Sequence, residues 1–127
     1  MVISMRQDTR SALNEVEPYK TKDGSTIREL MHPQTHGNTN QSLAQAVIAA
    51  AEKTVSHYHK LTEELYYIER GHGVVTLDDR NLEVSAGDTV LIRPGVIHSI
   101  QNTGETDLLI LCCCAPAYAH EDTYCID

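Results

Sequence analysis

The sequence predicts an all-β fold, a sandwich or closed barrel in a single domain. Three observations carry this. From residue 54 onward, short apolar runs are separated by turn signals roughly every eight to twelve residues. No helical period of apolar residues follows that point. A histidine pair, His57 and His59, has a spacing that makes chemical sense only on a strand. At 127 residues the chain is long enough for one sizeable core.

Residues 1 to about 20 show no clear period, and Glu17–Pro18–Tyr19 reads as a loop or edge. Asp23–Gly24 is a turn signal. Thr26 to Met31 fits a short strand ended by His32–Pro33, and residues 34–41, polar with one Gly and two Asn, read as a loop. The stretch from residue 42 to 53 is ambiguous. Its alanines favour helix, but a helix would run straight into the histidine pair. Residues two apart on a helix lie about 200° around its axis. On a strand, His57 and His59 face the same side, roughly 7 Å apart. The sequence is therefore read as a strand over 42–49, a turn near Ala51–Lys53 and a strand over 54–59, with a helix over 42–53 as the alternative. Six further strands follow: 64–69, 74–77, 82–84, 89–92, 97–101 and 108–114. The polar tail from Ala115 is expected to pack over an edge or an opening.

Composition narrows the function. The formal net charge of −8 argues against nucleic acid and anionic membrane partners, which call for a basic footprint. No apolar run approaches the ~20 residues that span a bilayer, and MVISMRQDTR lacks the apolar segment of a secretory signal. The expectation is a cytoplasmic protein. Cys112, Cys113 and Cys114 are consecutive, Cys125 stands near the end, and no CxxC spacing occurs. Neighbouring Cys on a strand point to opposite faces, so buried, unpaired thiols are expected. The six Tyr against no Phe and no Trp imply a core or pocket with hydroxyls that want partners.

The chemistry-bearing stretch is Ser56 to Gly73. His57 and His59 offer two nitrogens, Glu64 an oxygen from the start of the next strand, and His98, after the Arg93–Pro94–Gly95 turn, a third nitrogen. Imidazole and carboxylate suit first-row divalent metals. Four protein ligands leave open positions, as catalytic metals require. Taken singly, each of these residues reads more readily as a core or surface side chain; their order and combination carry the signal.

Residues 57–102 resemble the two signature motifs of the cupin superfamily. The first places HxH, four residues, Glu, six residues and Gly; here His57, His59, Glu64 and Gly71 stand in register, which selects Glu64 over Glu63. The second is matched by Gly87, Gly95, His98 and Asn102. Together they cover about a quarter of the chain. Arg93 stands where the second motif has its first Pro, and reads as a solvent-exposed residue or one that holds an acidic group at the rim. Ala51 stands where the first motif usually opens with Gly, so the turn there is expected to do without positive φ.

The resemblance implies a small single-domain cupin with a double-stranded β-helix (jelly-roll) barrel. It implies residues 41–115 as barrel core, 1–40 as an N-terminal extension with an edge strand, and 116–127 as a tail packing on the barrel. It implies one divalent transition metal per chain on His57, His59, Glu64 and His98, with Mn most favoured, then Fe, Ni, Zn and Cu. The expected activity is metal-dependent turnover of a small oxygen-rich molecule, of dioxygenase or isomerase type. The alternative is a non-catalytic binder of a carboxylate or sugar, and a third reading gives the metal only a structural role, or none. A homodimer is expected from the resemblance and from the need to cover sheet edges.

Strand parity adds a pocket wall. If Glu64 points inward, so do Tyr66 and Ile68; if His98 does, so does Ile100. Tyr66 is then the candidate catalytic hydroxyl, offered to a bound ligand or used in proton transfer, against the plainer reading of a barrel-filling side chain. Tyr58 and Tyr67 are expected on the other face, in sheet packing, and Cys112 with Cys114 on the face opposite Cys113.

Overall fold

The structure, a computed structural model, describes residues 9–126; residues 1–8, including most of MVISMRQDTR, lie outside it. A 3₁₀ turn at Leu13–Glu15 precedes the first strands. The elements are β1 (Tyr19–Lys20), β2 (Thr26–Met31), α1 (Pro33–His36), β3 (Ser42–Ile48), β4 (His57–His59), β5 (Glu63–Arg70), β6 (His72–Leu77), β7 (Arg80–Ser85), β8 (Thr89–Ile92), β9 (His98–Asn102), β10 (Leu108–Ala115) and β11 (Thr123–Cys125). They form two antiparallel sheets, ordered β1-β2-β3-β10-β5-β8 and β11-β4-β9-β6-β7. This is the all-β architecture expected from the turn spacing.

The ambiguous stretch is a strand. β3 pairs in full register with β10, Ser42 opposite Cys114 and Ile48 opposite Leu108. Cross-strand packing and ladder bonds override the helical preference of its alanines. The two inner faces meet in a core that includes Ile27, Ile48, Ile68, Val75, Ile92, Ile100 and Ile110. Gly73 allows β6 to lie against β9: a Cβ there would sit 2.3 Å from the Gln101 carbonyl oxygen. Buried Asn102 braces the far end, its Nδ2 donating to the Ile48 and Thr106 carbonyls and its Oδ1 accepting from the Gly104 N–H.

Four expectations need correcting. The loop assigned to 34–41 begins as α1, where His32 Nδ1 accepts from the Gln34 N–H and Gly37 closes the turn with φ of 81°. The second strand starts at His57, not 54, although the Thr54 N–H donates to the Ile100 carbonyl and Thr54 Oγ1 accepts from the Ile100 N–H. Ala51 does adopt positive φ, 67°. The reason is tertiary: the Glu52 N–H donates to Ala49, the Asn102 N–H donates to the Glu52 carbonyl, and Lys53 bridges Gln101. These ties set the turn whatever residue stands at its apex. Tyr67 is 44% exposed rather than packed, because nothing among the described residues covers that face of β5. Tyr58, by contrast, stacks on Tyr124 with ring centroids 5.1 Å apart. Arg93 is exposed, and no helix among the described residues is long and apolar enough to cross a membrane.

Candidate metal centre

Antiparallel pairing places His57 directly opposite His98, and the strand period puts His59 on the same face. The three rings form a triangle with centroid separations of 4.2, 5.4 and 5.4 Å. One ligating nitrogen from each lies within 4.8 Å of the other two. All three side chains are buried. Each ring is oriented through Nδ1, which faces the Val55 carbonyl at 2.7 Å in His57 and the Val96 carbonyl at 2.9 Å in His98. In His59 it faces the Asp122 carbonyl at 3.2 Å. A neutral imidazole that donates from Nδ1 presents the lone pair of Nε2. Such carbonyl partners are what fixes tautomer and ring direction in metal-binding histidines.

Glu64 comes from the opposite sheet. Its Oε1 lies 3.4 Å from His59 Nε2 and 3.7 Å from His98 Nε2. Neither Glu64 Oε1 nor His98 Nε2 has a hydrogen-bond partner, and both are buried. An unsatisfied buried polar atom costs about 1–3 kcal/mol. A cation placed among these atoms would satisfy them together, and three imidazole nitrogens with one carboxylate oxygen suit a first-row divalent metal. Burial alone would raise the Glu64 carboxyl, but His59 and His98 outweigh it and hold it at about 2. Burial and the neighbouring His98 push His57 down. For His59 the burial penalty is overcome by Glu64, which raises it.

Two acidic residues that sequence reasoning missed complete the surroundings. The Asp122 carboxylate accepts backbone N–H bonds from Lys60, Leu61 and Thr62 at 3.0–3.2 Å, so it shapes the connection between the HxH strand and Glu64. Its own carbonyl orients His59. The tail reaches this place because β11 pairs with β4, Thr123 opposite His59 and Cys125 opposite His57. Asp23, read only as part of a turn, accepts at Oδ1 from Thr21 Oγ1, the Ser25 N–H and Ser25 Oγ. Its Oδ2 lies 3.6 Å from His57 Nε2. No spacing rule in the sequence linked either residue to the histidines.

The site opens into a cavity of about 50 Å³ between the sheets, room for only a few water-sized groups. Parity gave part of its wall, Tyr66 and Ile100, but not Ile68, which is buried outside the lining. Tyr66 is 4% exposed and Ile68 and Ile100 are buried; Tyr66, Ile100, Cys112 and Cys114 line the cavity. The Tyr66 ring lies 6.2 Å from that of His98. Burial, then the Glu64 charge, pushes the Tyr66 hydroxyl and the Cys112 and Cys114 thiols well up, so these groups keep their protons. Tyr118, pushed by burial to about 12, and Glu29, raised by burial against the opposing effect of Tyr19 and His32, also line the cavity.

Comparison with known proteins follows the same lines. A family model described as the cupin domain matches residues 44–114, more than half of the chain, including all four candidate ligands. Protein MJ1618 of Methanocaldococcus jannaschii is 47% identical over 114 residues, covering 90% of this chain and 91% of that one. An oxalate-binding protein of Thermotoga maritima is 33% identical over 84 residues, 66% of this chain and 65% of the relative. Among solved structures, a predicted oxalate decarboxylase from Thermotoga maritima superposes with a TM-score of 0.73 at 26% identity, covering 83% of this chain and 96% of that chain. The fold is thus the double-stranded β-helix.

Proposed function

The chain belongs to the cupin domain family, and from that premise we propose that it is a metal-dependent enzyme acting on a small oxygen-rich molecule, of the dioxygenase or isomerase type. His57, His59, Glu64 and His98 hold one divalent transition metal, Mn most favoured and then Fe, Ni, Zn and Cu. The observation that carries the reading is the pair of buried, unpartnered atoms, Glu64 Oε1 and His98 Nε2, 3.7 Å apart beside the cluster of three histidines. When bound, the metal supplies Lewis acidity toward a ligand's oxygens.

The protein's own part is orientation and exclusion. The carbonyl partners of His57, His59 and His98 hold the rings in place. Ile100 and Ile110 keep the cavity wall dry. Tyr66, which stays protonated, serves as a hydrogen-bond donor to the ligand or as an acid, and not as a base. Residues 41–115 are read as the barrel core, flanked by 1–40 and 116–127. Four free thiols support a reducing, cytoplasmic setting. A homodimer is supported by an exposed apolar row across the outer face of the six-stranded sheet. Leu43, Leu65 and Leu91 are 36–40% exposed there, with Cys113 in register between Leu43 and Leu65.

Elemental analysis of untagged protein tests the metal reading, and about one equivalent of transition metal is expected. Turnover of α-hydroxy acids, β-diketones and sugars tests the enzyme reading. The second reading is a non-catalytic binder using the same four residues, favoured by the likeness to the oxalate-binding protein. It predicts thermal stabilisation by ligand with no product from fully metallated protein.

A further inference from the structure

We propose that this cavity selects an uncharged, hydroxyl-bearing ligand over a dicarboxylate, and that Asp23 is the specificity-determining residue. The inference rests on the metal reading above and names the ligand class of that same site.

The first observation is the fixing of Asp23. Three donors saturate Oδ1, and its backbone carbonyl accepts from the Val55 N–H at 2.9 Å, tying the turn to the chain just before β4. Only Oδ2 is free. It lies on the cavity wall beside the ligating face of His57, 3.6 Å from Nε2. A carboxylate held on one oxygen and free on the other is a positioned acceptor.

The second observation is Glu29. Its Oε2 accepts from the Tyr19 hydroxyl at 3.0 Å, while Oε1 is buried and has no partner. Glu29 lines the same cavity. Glu29 Oε1 therefore calls for a donor, and Asp23 Oδ2 can accept one. Hydroxyl groups supply donors; a fully ionised dicarboxylate has none.

The third observation is charge. Asp23, Glu29 and Glu64 line the cavity, and among the described residues no Lys or Arg does. The neighbouring cations are committed elsewhere. Lys22 Nζ donates to the His120 and Thr123 carbonyls and Lys20 Nζ to the Gly24 carbonyl. A divalent metal with Glu64 and Asp23 sums to zero formal charge, and an ionised Glu29 takes the sum to −1. A dianion would leave buried negative charge uncompensated, which is costly in a low-dielectric cavity. An uncharged polyol or hydroxyketone binds without that penalty and satisfies both acceptors.

The test uses the full chain as purified, with its metal content measured, and calorimetric titration with two probes, dihydroxyacetone and oxalate. Wild type is expected to bind dihydroxyacetone more tightly than oxalate. Asp23→Asn is expected to strengthen oxalate about tenfold and weaken dihydroxyacetone, with metal content unchanged. Glu29→Gln should shift the ratio the same way by a smaller factor, and it serves as the measurement if Asp23→Asn does not fold. Tighter oxalate binding by wild type, or a ratio unmoved by the substitutions, would overturn the proposal. So would loss of metal from Asp23→Asn alone, which would make Asp23 a ligand. Wild type without metal refutes the metal reading instead; the same two titrations on that protein still decide this one.

Discussion

The two sheets contribute to the centre in different ways. The five-stranded sheet supplies nitrogens, each oriented by its own hydrogen bond to a carbonyl. The six-stranded sheet supplies the Glu64 carboxylate, whose Oε1 has no such partner. One side is built by ring-to-carbonyl bonds, local for His57 and His98 and long-range for His59, the other by where β5 lies. The nitrogen side is therefore a preformed half-shell, and the carboxylate side is held by its neighbours and by charge.

The largest test of that contrast is His98→Ala against Glu64→Gln. The alanine variant should lose nearly all bound metal. The glutamine variant, with three nitrogens intact, should keep metal at an affinity lowered about tenfold or more. Metal content by elemental analysis and affinity by chelator competition decide; equal losses would break the comparison. Asp122→Ala comes next. It strands the N–H groups of Lys60, Leu61 and Thr62, at about 2–4 kcal/mol of stability. By slackening the segment that orients His59, it should cost about 10–100-fold in metal affinity. Denaturant melts with the same competition assay read both, and a variant that loses stability but not affinity would reduce Asp122 to a structural brace.

Acid titration of the metal-free protein examines the carboxylate side. A folded-state value of about 2 for Glu64 lies below its ordinary 4.5. Its ionised form thus adds stability that is complete above about pH 4.5 and lost as pH falls toward 2, at most about 3 kcal/mol. The gap in melting temperature between wild type and Glu64→Gln should close across that window. A gap independent of pH would show that His59 and His98 do not hold the carboxylate ionised. The smallest effect concerns the turn that links the sheets. Ala51→Gly removes the cost of a left-handed conformation and should stabilise by about 1 kcal/mol, read as a small rise in melting temperature with metal binding unchanged.

Much of the centre was legible in advance, for particular reasons. Strand parity is a period of two, so His57 with His59, and Glu64 with Tyr66 and Ile68, could be assigned to shared faces from spacing alone. The choice of Glu64 over Glu63, and of His98 among the later histidines, came instead from the resemblance to the two cupin motifs. Ala51 was misread because residue type reports what a conformation costs, and not whether surrounding bonds impose it. Tyr67 was misread because parity names a face without saying what covers it.

Local chemistry in the sequence thus determined the all-β class, the donor types and the faces they share, since these depend on residues a few positions apart. The tertiary structure decided which distant groups complete the site. His57 meets His98 through a strand pairing, Asp122 arrives through the β11–β4 ladder, and Asp23 through a turn docked on Val55. Each of these depends on register between segments far apart in the chain, which only the packing of the two sheets sets.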